Sequence, residues 1–128
     1  MKKIVVLGAG KMGSWLVESL CLDYDVGVFD PDKAKLKYFF NSHKFLSLEE
    51  IRDFQPDLVI VSAGFDAHEK DPLGQLELRD EDYGWITAEI HAIANDFCTG
   101  RLLSMLEGGY DLDALASASA AHVEALTA

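Results

Sequence analysis

Cysteine, proline and positive charge are all scarce in this 128-residue chain, and each scarcity excludes something. The two cysteines, Cys21 and Cys98, stand far apart inside apolar helical patterns, and no Cys-x-x-Cys pair occurs. That excludes a disulfide framework and a metal knuckle, and predicts two reduced core thiols in a cytoplasmic protein. Three prolines and ten glycines are too few for a collagen-like chain, and a hydrophobic content of 49% excludes a disordered one. No apolar stretch approaches the roughly 18 residues of a membrane span. The opening Met1-Lys2-Lys3-Ile4-Val5-Val6-Leu7 imitates a secretion signal, but Lys11 and three glycines interrupt it too early. Eleven Lys and Arg against 22 Asp and Glu, a net charge of −11, argue against nucleic acid and anionic membranes as partners. The length suits one ordinary domain, 1–128.

The charge is unevenly spread. Residues 1–61 carry eight Lys/Arg against nine Asp/Glu, while residues 62–128 carry three against thirteen. The step falls inside the apolar run Leu58-Val59-Ile60-Val61, with no linker composition beside it. Along the chain, apolar β-branched runs alternate with helical patterns. Ile4–Leu7, Asp25–Phe29, Leu58–Ala63 and Arg101–Leu106 read as strands of the buried parallel kind. Lys11–Leu22, Lys33–Phe40, a short segment opened by the capping box Ser47-Leu-Glu-Glu50, Glu81–Phe97 and an Ala-rich C-terminal stretch capped by Asp111 or Asp113 read as helices. A polar loop, 64–82, contains Pro72 and Gly74. Strands separated by helices demand a parallel sheet covered by helices. The expected fold is therefore α/β, a Rossmann-like three-layer sandwich on four parallel strands. Counting those four in chain order, 3-2-1-4 is favoured, because it covers both faces. An unpaired strand edge at the third or fourth strand would pair two copies, so the chain is expected as a monomer or a strand-edge homodimer.

Gly8-Ala9-Gly10-Lys11-Met12-Gly13 matches G-x-G-x-x-G after a strand and at the start of a helix. The first glycine permits a tight turn, the second lets backbone approach a pyrophosphate, and the third lets helix and strand pack closely. Helix-start N–H groups favour phosphate. Asp30 ends the second strand, where a carboxylate accepts from ribose hydroxyls and repels a 2′-phosphate, so NAD is favoured over NADP. The alternative is that the glycines only make a compact turn and Asp30 caps the next helix.

Residues 1–60 resemble the N-terminal part of NAD(P)-dependent dehydrogenases of the prephenate dehydrogenase group. The resemblance rests on Lys3-Ile-Val-Val-Leu-Gly-Ala-Gly-Lys-Met-Gly13, Val28-Phe-Asp-Pro31 and Pro56-Asp-Leu-Val-Ile60. It implies NAD binding at Gly8, Gly10, Lys11, Met12, Gly13 and Asp30. From Pro56 onward, Val61-Ser-Ala-Gly-Phe-Asp-Ala-His-Glu-Lys-Asp-Pro-Leu-Gly74 and Leu106-Glu-Gly-Gly-Tyr-Asp-Leu-Asp-Ala-Leu115 resemble the C-terminal part of the histone deacetylase and acetoin-utilisation family. That resemblance implies an arginase-like α/β ancestor with zinc-dependent amidohydrolase chemistry. It matches Asp66 to a zinc-ligating aspartate and Tyr110 to the tyrosine that donates to the tetrahedral oxyanion. The family's Asp-x-His segment and tandem histidines have no counterpart among His43, His68, His91 and His122. No metal site is therefore expected, His91 reads as structural, and His43 and His122 read as surface residues.

Both resemblances meet at Phe54-Gln-Pro-Asp-Leu-Val-Ile-Val61, where the charge step falls. Together they imply an engineered chimera, dehydrogenase-like over 1–60 and deacetylase-like over 61–128. Such a chain is expected to be no enzyme, with weak NAD binding at most. The alternatives are a natural small NAD-binding protein or minimal oxidoreductase using His68 or Tyr110, and a residual zinc deacylase.

Overall fold

The computed structural model describes residues 1–73 and 77–128, so Gly74 lies outside the described residues. The chain divides into two compact units: Met1–Ser62 with Ile93–Met105, and Ala63–Ala92 with Leu106–Ala128.

The first unit is built on β1 (Lys3–Leu7), β2 (Asp25–Phe29), β3 (His43–Phe45), β4 (Leu58–Ala63) and β5 (Leu102–Leu106), which form one sheet in the order β3-β2-β1-β4-β5. The class is α/β, a sheet of parallel strands with helices on both sides, as the alternating pattern predicts. Among the described residues the sheet has five strands rather than four. His43–Phe45 takes the place beside β2 that the four-strand reading gives to Leu58–Ala63, and the latter pairs with β1, Ile4 opposite Leu58. The extra strand escapes pattern reading because only Phe45 of its three residues is buried. Its position is set by a remote contact. A Cβ on Gly27 of β2 would lie 2.1 Å from the Phe45 ring, so the absent side chain makes the seat for that ring.

Strand periodicity divides the apolar side chains between two faces. On one, Ile4, Val6, Val26, Val28 and Ile60 pack with Val17 of α1 (Lys11–Leu20) and with Leu36 and Phe39. On the other, Phe45 meets Phe54 of α2 (Leu48–Phe54) at 5.1 Å between ring centroids. Ser47 caps α2 by accepting from Glu50 N–H at 3.2 Å, and Glu50 accepts in turn from Leu46 N–H at 2.6 Å. This is the expected capping box, reaching one residue further back. Lys33–Tyr38 is a 3-10 helix rather than an α-helix, capped by Asp32 and burying Leu36. The Cys98 thiol is fully buried and donates to Pro56 O at 3.1 Å; burial pushes its pKa up, which keeps it an unreactive core group. Cys21 is only half-buried.

The second unit holds the segment after β4, the first part of α3 (Asp80–Phe97), and α4 (Leu112–Thr127). Asp111 caps α4, accepting from Ala114 N–H at 2.8 Å. Phe65 is the centre of this unit, 5.1 Å from the Tyr83 ring and 5.8 Å from His122. His122 is buried, not a surface residue. Among the described residues no helix is long and apolar enough to cross a membrane.

Candidate functional site

The six glycine-loop residues come together at the carboxyl ends of β1 and β2, and the geometry explains the glycines without a ligand. Gly8 has φ +107° and its N–H donates to Phe29 O at 2.8 Å. A Cβ on Gly13 would lie 1.8 Å from the Gly8 carbonyl oxygen, so helix α1 starts directly against the turn. Asp30 is buried, and both its oxygens serve backbone. Oδ2 accepts from Ala9 N–H at 2.8 Å and Oδ1 from Asp32 N–H at 2.8 Å. Lys11 and Met12 are exposed. The carboxylate expected to meet a ribose instead ties β2 to the glycine turn.

A second constellation occupies the other unit, where the segment after β4 meets the segment after β5. Phe65 N–H donates to Gly108 O at 2.7 Å, and Glu107 N–H donates to Ala63 O at 2.9 Å. These bonds place Asp66 between two glycines. A Cβ on Gly64 would stand 3.0 Å from Asp66 Oδ1, and one on Gly108 would stand 3.1 Å from its Cγ. Asp66 is thus an exposed carboxylate whose position is defined by the absence of two side chains. Gly109, with φ +144°, turns the chain toward Tyr110, and a Cβ there would meet Leu115 at 2.9 Å and Phe65 at 3.2 Å. Tyr110 is 55% exposed, while its backbone N–H donates to Asp71 Oδ2 at 2.8 Å.

Asp71 is a residue that pattern reading treats as solvated surface. It is 7% exposed, and its second oxygen accepts from Leu73 N–H at 2.9 Å. Asp-Pro at 71–72 marks a turn, which is the one local sign of this role. Tyr83 lies beneath the same loops with its hydroxyl buried beside the Ala67 backbone. Burial, with the Asp66 and Asp71 charges adding to it, pushes the phenol up to about 12.

His68 is buried and its ring is committed. Nδ1 accepts from Lys70 N–H at 3.1 Å, so Nε2 carries the proton and donates to Asp80 Oδ1 at 2.9 Å. Ser117 donates to the same carboxylate oxygen at 2.9 Å. With both nitrogens engaged, His68 is a structural tie between the loop and α3, not a metal ligand. Among the described residues no group of three or more His, Cys, Asp and Glu is placed to hold a metal ion. A catalytic zinc site needs three protein ligands and an open position. Asp66 in its glycine cradle fits one ligand position, and the described residues do not fit a zinc ion on their own.

His122 illustrates the cost of burying a titratable group. Thr87 Oγ1 donates its only proton to Tyr83 O at 2.6 Å, so the 2.7 Å contact between Thr87 Oγ1 and His122 Nδ1 has the ring as donor. Burial lowers the His122 pKa below its usual 6.5. The unfolded chain then binds the proton more readily, so stability should be intact above pH 6.5 and fall as pH drops below it. Urea unfolding at pH 7.5 and 5.0 checks this. The loss on acidification should be smaller in His122→Gln, and an equal loss in both proteins would refute the assignment.

The Histone deacetylase domain family model matches residues 22–126. Type-2 histone deacetylase 1 of Dictyostelium discoideum is 44% identical over 98 residues, 77% of this chain and 6% of that protein. A probable deacetylase of Methanothermobacter thermautotrophicus is 41% identical over 76 residues, 59% of this chain and 22% of its own length. Among solved structures, the HDA15 HD domain superposes with a TM-score of 0.70 at 22% identity, covering 98% of this chain and 44% of that one. The chain therefore spans less than a quarter of either curated relative and under half of the solved domain.

These findings correct four expectations. The match begins at residue 22, well ahead of Phe54, and spans the supposed junction at 54–61. The engineered chimera and the dehydrogenase-like segment are therefore overturned. The expectation of a non-enzyme falls too, since the matching family is one of deacetylases. So does NAD as cofactor at Gly8, Gly10, Lys11, Met12, Gly13 and Asp30, because that family's chemistry is zinc-dependent. The physical source of the error is that close strand–helix packing and a buried capping carboxylate demand the same glycines and the same aspartate as a dinucleotide site does.

Proposed function

The chain belongs to the histone deacetylase family, and on that premise we propose that it serves hydrolytic deacylation, the removal of an acetyl group from an amide nitrogen. The observation that carries this reading is the cradle in which Gly64 and Gly108 hold the Asp66 carboxylate, on the loop pair that also presents Tyr110. Water adds to the amide carbonyl, the C–N bond breaks, and the products are acetate and an amine. Negative charge develops on the carbonyl oxygen during addition. A phenol aimed at that oxygen stabilises it, and Tyr110 supplies one at the solvent face. Asp71 contributes by fixing the Tyr110 backbone, and the Gly64–Phe65 turn by fixing Asp66. Zinc supplies Lewis-acid chemistry in this family; the described residues offer it Asp66 alone, so no step is assigned to a metal here.

The test is acetate release from an acetyl-lysine peptide with zinc supplied. Release above the zinc-only background is expected, with a loss on the order of 100-fold in Tyr110→Phe and a loss in Asp66→Ala as well. No release above that background, or release indifferent to both substitutions, would remove the proposal.

A further inference from the structure

His68 closes two successive β-turns. Its N–H donates to Phe65 O at 3.4 Å, and its carbonyl oxygen accepts from Asp71 N–H at 3.0 Å. Each bond joins the first and fourth residues of its turn, the spacing of a β-turn. Asp66 is the first central residue of the first turn, and Asp71 is the last residue of the second. Asp71 in turn accepts from Tyr110 N–H at 2.8 Å. His68 is therefore the shared corner between the segment that carries Asp66 and the segment that grips Tyr110.

The corner is fixed by its side chain. His68 is 3% exposed, and its Nε2 proton goes to Asp80 Oδ1, on the first residue of α3, at 2.9 Å. Ser117 of α4 donates to that same oxygen. Nδ1 accepts from Lys70 N–H at 3.1 Å, inside the second turn. The ring lies nearly parallel to that of Tyr83, with 6.4 Å between centroids and 9° between planes. The neighbouring backbone is held as well, Leu78 N–H donating to Ala67 O at 2.9 Å and Glu69 N–H to Leu78 O at 2.8 Å. Burying an imidazole costs free energy unless both nitrogens are bonded, and an aliphatic side chain would fill the space without that cost. What the ring supplies beyond volume is direction. Hydrogen bonds on both nitrogens hold it in one orientation, and the turn corner with it.

We propose that His68, tied to Asp80, is a positioning residue that sets Asp66 and Tyr110 in their reacting places together. This role rests on the deacylation reading, and His68 acts through those two residues rather than on the substrate. Releasing the ring frees the corner, so both turns shift at once. Asp66 then moves in its glycine cradle, and Asp71 loses its hold on the Tyr110 backbone. The Tyr110 phenol meets negative charge only as the transition state forms, so misplacing it lowers kcat and leaves KM in place. A misplacement of about 1 Å costs on the order of 100-fold, which sets the upper end of the loss expected here.

The experiment joins a ¹⁵N–¹H correlation spectrum to steady-state acetate release from an acetyl-lysine peptide with zinc supplied, for His68→Leu, His68→Gln and His68→Asn. Glutamine sets its amide nitrogen near the Nε2 position and keeps a donor for Asp80. Asparagine sets its oxygen near the Nδ1 position and keeps only the Lys70 turn. Both remove the ring current alike, so their difference reads the bond to Asp80. In His68→Leu, kcat should fall by about 10- to 100-fold with KM unchanged. The Asp71 and Tyr110 amide resonances should move with it. His68→Gln should recover most of the activity and of the parent resonances, and His68→Asn little of either. That contrast carries the test where leucine disrupts the fold, which circular dichroism reports. Asp71 and Tyr110 resonances that coincide in His68→Gln and His68→Asn would overturn the proposal. So would a loss confined to KM, or His68→Asn as active as His68→Gln. A parent chain that releases no acetate would remove the deacylation reading instead, and the resonances would then decide alone whether His68 places the two groups.

Discussion

Gly13→Ala should destabilise the protein by about 3 kcal/mol, while Gly84→Ala should stabilise it by about 0.5–1 kcal/mol. The two substitutions are chemically identical and both lie within helices, α1 and α3. Helix propensity alone favours alanine in each, because glycine loses more backbone entropy on folding. Their surroundings decide the sign. At Gly84 the new methyl would rest 3.9 Å from Ala121 Cβ, an ordinary contact. At Gly13 it would lie 1.8 Å from the Gly8 carbonyl oxygen and 2.8 Å from its carbon. Those are backbone atoms, and Gly8 is held in turn by its N–H bond to Phe29 O at 2.8 Å. Relief requires α1 to move off β1 and β2, which exposes Val17 and opens the core. A loss of 3 kcal/mol is a large share of the roughly 5–15 kcal/mol by which domains are stable. Urea midpoints of the two variants against the parent measure it. A Gly13→Ala protein as stable as the parent would mean that the strand–helix contact is looser than described.

Asp71→Ala should cost about 2–4 kcal/mol, with Asp71→Asn costing clearly less. The carboxylate is 7% exposed and accepts from Tyr110 and Leu73 N–H groups, at 2.8 and 2.9 Å. Removing it leaves two part-buried donors without their acceptor, and each hydrogen bond to a charged group contributes about 1.5–3 kcal/mol. Asparagine retains one acceptor oxygen and so keeps one of the two. The amide proton resonance of Tyr110 should move upfield in the alanine protein, since its carboxylate acceptor is gone. Deacylation should fall along with it through loss of Tyr110 placement. Unchanged stability together with an unmoved Tyr110 resonance would show that the loop is held by other contacts.

The candidate site was partly legible in the sequence. Phe65-Asp66 and Gly108-Gly109-Tyr110 carry a long motif, so Asp66 and Tyr110 stand out from residues alone. The function of the glycines between them does not, because a missing side chain has no signature until the atom that needs the space is located. Asp71, Tyr83 and His122 were illegible for a related reason. Each has neighbours within a few residues that read as polar surface, and each is packed or bonded by groups 18 to 39 positions away. The glycine loop erred in the opposite direction. Its pattern is a statement about sterics at a strand–helix turn, and Asp30 satisfies Ala9 N–H there.

The α/β class, the four long apolar strands and the cap at Ser47 were determined by sequence alone, while the cap of α4 was narrowed to Asp111 or Asp113 and fixed at Asp111 by the structure. Hydrophobic periodicity and capping chemistry act over a few residues, so they are written locally and read locally. Only the tertiary structure decided the fifth strand, the neighbour of Leu58–Ala63, the burial of Asp71 and the cradle around Asp66. These depend on which remote residues leave space or supply a partner: Gly27 for the Phe45 ring, Gly108 for the Asp66 carboxylate, Tyr110 N–H for Asp71. Sequence order carries no record of such distances, because they come into existence only when the chain closes on itself.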